Sequence, residues 1–254
     1  MCGRFAATTD PATLAVAIDA VNETGQEFRG PNYNVAPTTD IAAVVARRDE
    51  AQDEPRNEVT RRIRLMRWGL LPSWVKADAD GRPIASRKGG APLINARAEK
   101  VTSSPAFRSA AEHKRCLIPM DGYYEWMPNA DDPKGRKTPF YIYREEGPLL
   151  VAGLWSAWRA AHHAEAVLTC TIITTDAVDQ LGRIHDRMPV PVAEADWDRW
   201  LDPDRPAPAD LLAARPDISG IAIREVSTLV NNVRNNGPEL IAPAESGNQP
   251  VGLF

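Results

Sequence analysis

The sequence predicts one α+β domain built on a mostly antiparallel, barrel-like sheet with flanking helices. Strand-like runs are short, follow one another closely and are broken only by isolated helical patterns. A parallel sheet would instead show regular alternation of strands and helices. No internal repeat or long linker divides the 254 residues, and 43% of them are hydrophobic, which is enough for a core. We expect a single domain over residues 2–243 and a polar tail over 244–254.

The first third of the chain carries a helix and then strands. Asp10 supplies a capping side chain and Pro11 suits a first helical turn, so a helix should begin here. Apolar residues then recur at helical spacing as far as Val21, and Gly25 ends the pattern. The other elements predicted in this third are a turn-rich connection at 31–37, a strand at 41–47, a charged loop at 48–62 and a strand from Arg64 that stops at Pro72.

The rest of the chain contains strands and short helices. A long stretch at 76–92, rich in glycine, proline and charge, predicts a functional or disordered loop. Helices are predicted at 104–112, 176–181, 194–201 and 206–214. Strands are predicted at 115–119, 122–126, 139–144, 149–155, 167–174 and 221–228.

Composition and charge exclude several classes of protein. The three cysteines are far apart and form no CxxC pair, which indicates neither a disulfide framework nor a zinc site, and we expect no metal and no cofactor. No window resembles a signal sequence or a membrane span, so we expect a cytoplasmic protein. We also expect a monomer. The net charge of −4 argues against a broad nucleic-acid surface, so any such site must be a local basic cleft.

Cys2 directly follows the initiator methionine. If Met1 is removed, Cys2 carries an α-amine and a thiol on adjacent carbons, with ordinary pKa values of about 8 and about 8.5. The amine can condense with an aldehyde to a Schiff base, and the thiol can then add to the same carbon and close a thiazolidine ring. The alternative is that position 2 merely holds a small residue, and the first five residues alone do not decide between the two.

Glu125 and His185 are the candidate acid–base residues. Glu125 lies in the run Tyr123-Tyr124-Glu125-Trp126, where enclosure by aromatic rings would raise its pKa and suit it to proton transfer. The alternative is an exposed strand glutamate flanked by core aromatics. His185 lies in a compact turn before an arginine and a proline, as a proton shuttle or as a structural histidine bonded to backbone.

Further candidates lie in polar segments. Asn95, Arg97 and Glu99 alternate, so they can project from one face of a strand toward a phosphate or carboxylate. Trp74 precedes the long loop, either as an exposed stacking platform for a base or as part of the core. The amide-rich turn at 231–239 is best explained by side chains that cap loop backbone.

Seven short motifs, taken together and in order, resemble the SOS-response-associated peptidase (SRAP) family. Each motif alone is weak, but the series is specific and covers nearly the whole chain, from Cys2 to about Pro243. The motifs are Met1-Cys2-Gly3-Arg4-Phe5, Tyr33-Asn34-Val35-Ala36-Pro37, Arg67-Trp68-Gly69-Leu70-Leu71-Pro72-Ser73-Trp74, Asn95-Ala96-Arg97-Ala98-Glu99, Asp121-Gly122-Tyr123-Tyr124-Glu125-Trp126, Ile184-His185-Asp186-Arg187-Met188-Pro189 and Val230-Asn231-Asn232-Val233-Arg234.

The resemblance implies the SRAP fold and a sensor of abasic sites in single-stranded DNA. Members of this family lose the initiator methionine and attach the exposed cysteine to the sugar aldehyde as a thiazolidine, a crosslinking, lyase-like activity in the DNA damage response. Carried over to this chain, the resemblance implies catalytic roles for Cys2, Asn95, Glu125 and His185, phosphate contacts by Arg4, Arg97 and Arg187, and a DNA path along Asn34, Pro37 and Trp74, with Trp74 against a base.

This chain departs from the family in one respect. The segment after Glu99 is less basic than is usual, and only Lys100 and Arg108 flank it. We expect the 76–92 loop to supply the missing positive charge, through Lys76, Arg82, Arg87 and Lys88.

Two rival functions stay open at this point. One is a cysteine-type peptidase or autopeptidase, with Cys2 as nucleophile, His185 as base and Glu125 as the orienting group. The other is a noncatalytic single-strand binder in which Cys2 is dispensable.

Overall fold

The computed structural model describes residues 2–48, 59–84, 92–129, 134–160 and 165–244. The strands are β1 (Phe5–Ala7), β2 (Ala20–Asn22), β3 (Asn32–Val35), β4 (Asp40–Arg48), β5 (Val59–Trp68), β6 (Asn95–Arg97), β7 (Arg115–Met120), β8 (Gly122–Pro128), β9 (Lys137–Arg144), β10 (Leu149–Trp158), β11 (Val167–Asp176), β12 (Arg187–Pro189) and β13 (Ile221–Glu225). The helices are α1 (Pro11–Ala17), α2 (Arg108–His113), α3 (Trp197–Leu201) and α4 (Ala209–Ala213). Short 3₁₀ helices lie at Gly25–Glu27, Ala98–Lys100, Asp179–Arg183, Glu194–Asp196, Thr228–Asn231 and Pro238–Leu240.

Five strands close into a barrel. β11, β10, β7, β4 and β5 are hydrogen-bonded neighbours in that order, and β5 pairs again with β11 to complete the ring. Every pair in the ring is antiparallel except β5 with β11, where Arg67 and Trp68 pair in parallel with Thr169 and Cys170. A closed ring with an odd number of strands must contain at least one parallel pair, so this exception follows from closure. The predicted α+β fold with a mostly antiparallel, barrel-like sheet is confirmed.

A second sheet packs against one face of the barrel strands. Its order is β13-β9-β8-β1-β3, and every pair is antiparallel. Successive residues of β10 point to opposite faces and pack in two different hydrophobic cores. Val151 packs in a core with Phe5 of the second sheet, whereas Leu150 packs in a core beneath the helices. Gly153 of β10 leaves room for side chains of the paired strand β7, because a Cβ there would lie 2.8 Å from Cys116 Sγ.

Helix α1 begins as predicted but ends early. The Asp10 carboxylate accepts backbone N–H groups of the first turn, and Pro11 occupies that turn. The helix ends at Ala17, and Asp19 then adopts a left-handed φ of 50°, which turns the chain into β2. The prediction that Val21 belongs to the helix is wrong, because it lies in β2, which pairs in parallel with β5. Sheet pairing thus outweighs a short run of helical spacing.

Other boundaries differ by a few residues. Strand β5 already begins at Val59, so the end of the predicted charged loop is strand, and 49–58 lie outside the described residues. The predicted helix at 176–181 is a 3₁₀ helix at Asp179–Arg183. Residues 85–91 and 245–254 also lie outside the description, and the domain boundary at 243 stays a prediction. Within the described ranges, no helix is both long and apolar enough to cross a membrane.

Candidate active site

Cys2 lies at the seam between the two sheets. It lies three residues before the start of β1 of the second sheet, is fully buried, and packs in the core shared with the barrel. Asn95 Nδ2, on β6 at the edge of the barrel sheet, donates to the Cys2 carbonyl oxygen at 2.8 Å. Asn95 Oδ1 is buried and accepts no hydrogen bond from any described residue. The amide therefore fixes the backbone of Cys2 and keeps one acceptor available beside it.

Glu125 is buried beside Cys2 on the adjacent strand of the second sheet. Its position in β8 gives it the same face as Tyr123, which packs in the same core as Cys2, and only 4% of Glu125 is exposed. Burial raises the pKa of Glu125 to about 7, and the positive charge of the amino terminus opposes this rise. The interpretation as an exposed strand glutamate is therefore wrong. A carboxyl with this pKa can both donate and accept a proton near neutral pH.

The Cys2 thiol is held in its protonated form. Burial raises its pKa far above the ordinary value, and the nearby charge of Glu125 raises it further. The amino terminus and a hydrogen bond from the Arg4 backbone act in the opposite direction but are the smaller influences. The sulfur is therefore suited to a reaction in which it adds only after an electrophile has formed beside it.

His185 lies on the edge next to β12, just after the 3₁₀ helix at 179–183. Its ring is partly exposed, and Nδ1 lies 3.0 Å from the Arg187 backbone nitrogen, which donates to it, and 2.7 Å from Asp186 Oδ1. Burial lowers the pKa of His185, the amino terminus lowers it further, and Asp186 raises it. The ring is therefore mostly neutral at pH 7.

Arg187 is buried and connects β12 to neighbouring segments through its side chain. Its guanidinium makes a paired contact with Glu99, Nη1 to Oε1 at 2.6 Å and Nη2 to Oε2 at 3.0 Å, and also binds Asp176 and the Thr174 carbonyl. The strand predicted to carry Glu99 ends at Arg97, so Glu99 sits on the following 3₁₀ turn and reaches Arg187. A DNA phosphate at Arg187 would have to compete with two carboxylates.

Arg4 and Asn34 tie the amino-terminal segment to the amide-rich turn. Arg4 Nη1 donates to Asn34 Oδ1 at 2.7 Å and to the Val230 carbonyl at 2.9 Å, and the guanidinium lies over the Trp126 ring. Asn34 is buried, and its Nδ2 donates to the carbonyls of residues 230, 232 and 235. Amide side chains of the turn bind backbone in return, as at Asn235. The structural interpretation of this turn is confirmed.

The remaining predicted DNA contacts lie toward solvent. Trp74 is 59% exposed, which favours the platform over the core interpretation. Arg97 is exposed at the end of β6, and Pro37 is half-buried. Of the loop cations, Lys76 and Arg82 are described, and Arg82 pairs with exposed Asp80. Two further predicted cations, residues 87 and 88, lie outside the described residues.

Comparison with known proteins identifies the family. Residues 1–233 match the family described as SOS response associated peptidase (SRAP). The chain belongs to the SRAP family. Among relatives, this SRAP chain is 37% identical to "Abasic site processing protein YoaM" of Bacillus subtilis, over 95% of the chain and 97% of that protein. It is 30% identical to "Abasic site processing protein HMCES" of Gallus gallus, over 97% of the chain and 79% of that protein.

Solved structures support the SRAP fold. A crystal structure from Bacteroides thetaiotaomicron matches with a TM-score of 0.75 and 23% identity, covering 96% of this chain and all of that one. A phage-related protein from Bordetella bronchiseptica matches with a TM-score of 0.61 and 27% identity, over 89% and 94% of the two chains. Because its sequence is only 23% identical to this chain, the Bacteroides thetaiotaomicron structure supports the fold and carries no conclusion about function.

The structure of this SRAP protein joins some predicted residues and separates others. It brings buried Cys2 and Glu125 and half-buried Asn95 into one cluster, with His185 at its partly exposed edge. Asp186 was not among the predicted site residues, although it directly follows the candidate histidine. The ion pairs of Asp176 and Glu99 were not predicted either, because their partner Arg187 is 11 and 88 residues away, respectively. Within the described residues, no group of three or more His, Cys, Asp or Glu side chains is placed to hold a metal.

Proposed function

We propose that this SRAP protein recognises abasic sites in single-stranded DNA and bonds Cys2 covalently to them after Met1 is removed. The observation that carries the proposal is the cluster of buried Cys2, half-buried Asn95 and buried Glu125, in which a carboxyl with a pKa of about 7 lies beside Cys2, the residue that becomes the amino terminus when Met1 is removed. The names of the relatives, both abasic site processing proteins, supply the substrate class.

The first step is condensation of the amine with the aldehyde. In an abasic site, the deoxyribose ring opens to an aldehyde at C1′. The Cys2 amine adds to this carbon, and loss of one water from the carbinolamine gives a Schiff base. Glu125 can protonate the departing hydroxyl and then accept the proton released by the nitrogen, because its pKa allows both states near pH 7. The carboxyl thus returns to its starting state.

The second step closes the ring. The Cys2 sulfur adds to the Schiff-base carbon, a carbon–sulfur bond forms, and the thiol proton passes to the nitrogen, so nothing is oxidised or reduced. The product is a thiazolidine, and the whole sequence releases one water. Burial keeps the thiol protonated until the electrophile forms. Because amine and thiol belong to one residue, the effective molarity of the second step should reach roughly 10⁵ M or more.

The other residues divide into chemical, DNA-binding and positioning roles. His185 assists opening of the sugar ring, and Asn95 orients Cys2 and the sugar. Arg97 and Trp74, both exposed, bind phosphate and stack on a base, respectively. Binding by charge and stacking should be largely independent of base sequence and should weaken with salt. Arg4, Asn34, Arg187 and Pro37 shape the path of the DNA, the first three through their contacts within the protein.

The peptidase alternative is disfavoured by the state of the sulfur. A thiol-only peptidase needs a thiolate, which proteins produce by lowering the pKa of the cysteine. Here burial acts in the opposite direction on Cys2. Acetylation of the α-amine separates the two functions, because it abolishes a thiazolidine and leaves a thiol nucleophile intact.

A denaturing gel tests the proposal. Protein without Met1 is incubated with a single-stranded oligonucleotide that carries one abasic site, beside the same strand with an intact base. A heat-stable band of lower mobility is expected for the wild type with the abasic strand alone. Cys2→Ala should abolish the band, and Cys116→Ala, at another buried cysteine, should retain it. No band from correctly processed wild-type protein would refute the covalent function.

A further inference from the structure

The Nδ1 atom of His185 has two neighbours with opposite requirements. The Arg187 backbone N–H points at Nδ1 from 3.0 Å and needs a lone pair there. The Asp186 carboxylate lies 2.7 Å from the same atom and needs a proton there. One neutral imidazole cannot satisfy both, so the two neighbours favour opposite tautomers of the ring.

The choice of tautomer decides what the ring offers to a substrate. If Nδ1 carries the proton, Nε2 has a lone pair and can accept a proton as a base. If Nδ1 accepts from the Arg187 amide, Nε2 carries the proton and the ring can only donate. The amide belongs to the backbone and is fixed by the buried Arg187 side chain, so the carboxylate of Asp186 is the variable partner.

We propose that Asp186 is a positioning residue, which holds the proton on Nδ1 of His185 and thereby leaves Nε2 free of a proton and able to act as the base. This inference rests on the proposed function, because a base is needed to open the sugar ring to the aldehyde. The short contact between an ionised carboxylate and a ring nitrogen is stronger than a neutral amide contact at 3.0 Å, which favours the tautomer that serves Asp186.

The charges around the ring fit this role. Burial lowers the pKa of His185, the amino terminus of the chain with Met1 in place and Lys137 of β9 lower it further, and Asp186 opposes them. Asp186 also raises the pKa of Glu125 on β8. The charge of the Arg187 guanidinium is compensated by its own carboxylates. The charge of Asp186 therefore raises the pKa of both candidate acid–base residues, His185 and Glu125.

The test compares two equally exposed aspartates. The Asp186 side chain is 84% exposed, and that of Asp198, which pairs with Arg61 on another face, is 85% exposed. Nitrogen-15 NMR of the free protein reports which nitrogen of His185 is protonated. We expect Nδ1–H in the wild type and in Asp198→Ala, and Nε2–H in Asp186→Ala. The same tautomer in all three proteins would overturn the proposal.

Kinetics connect the tautomer to the reaction. In Asp186→Ala, adduct formation with an abasic strand should slow several-fold, and the pH profile should move to lower pH by about half a unit, as expected for loss of an exposed ion pair. Asp198→Ala should keep the wild-type profile. A changed tautomer with an unchanged profile would remove Asp186 from the reaction. If even the wild type forms no adduct, the proposed function fails, and the NMR result still decides whether Asp186 sets the tautomer.

Discussion

The buried carboxyl of Glu125 should make the protein less stable as the pH rises. In the unfolded chain a glutamate loses its proton near the ordinary pKa of 4.5, whereas in the folded protein burial holds this pKa at about 7. Between these values the unfolded state releases the proton and the folded state retains it, so the free energy of unfolding falls with increasing pH. At about 1.4 kcal/mol per pH unit, the total loss is roughly 3 kcal/mol, complete just above pH 7.

Glu125→Gln tests this magnitude because it keeps the shape of the side chain and removes its ionisation. The free energy of unfolding is measured by urea denaturation at several pH values from 4.5 to 8.5. Relative to the wild type, the variant should gain roughly 3 kcal/mol of stability across this range. Glu194→Gln, at an exposed position, controls for loss of a surface charge. A difference between Glu125→Gln and the wild type that does not vary with pH would refute the assigned burial and protonation of Glu125.

Three further outcomes follow from the geometry. Gly153→Ala should lower stability by about 1–3 kcal/mol in thermal denaturation, because the added Cβ would lie 3.0 Å or less from backbone and core atoms. Gly182→Ala is the control, because its Cβ would make one ordinary contact at 3.6 Å. Equal effects of the two substitutions would contradict the packing around Gly153. Arg187→Ala should lower the free energy of unfolding, measured by urea denaturation, by about 2–4 kcal/mol. Arg97→Ala should leave this free energy unchanged but reduce by about one the number of counterions released on DNA binding, which is measured from the slope of log K against log salt concentration. The reverse pattern would exchange their roles. Trp74→Ala should weaken single-strand binding by about 1–3 kcal/mol in a fluorescence titration, and unchanged affinity would remove it from the DNA path.

Local patterns predicted the elements that carry the site. Alternation along β8 placed Glu125 on the same face as Tyr123, and the structure confirms that this face is buried. The capping residue Asp10 marked the start of α1 correctly. The alternation of faces and the helix cap are both set by residues close together in the chain, so the sequence contains them directly, whereas the burial of the Glu125 face depends on distant residues such as Cys2.

Long-range pairing was beyond local patterns. The parallel contact of β5 with β11 that closes the barrel joins residues about a hundred positions apart, and pairing with β5 is also what turned Val21 from helix to strand. The ion pairs of Arg187 with Glu99 and Asp176 were not predicted, because the fold alone brings these partners to it, and its contact with a DNA phosphate stays a prediction. Burial and ion pairing of a charged residue therefore have to be read from the structure.

Covalent attachment of Cys2 to an abasic site is tested by the intact mass of the adduct between the wild-type protein and an abasic oligonucleotide. The expected mass is that of the protein without Met1 plus that of the strand, minus one water, and a tryptic fragment should place the strand on Cys2. Cys2→Ser retains the amine but has no thiol, so its Schiff base should survive denaturation only after borohydride reduction. An adduct on another residue, or a wild-type adduct that also requires borohydride, would contradict the thiazolidine and the role of the Cys2 sulfur.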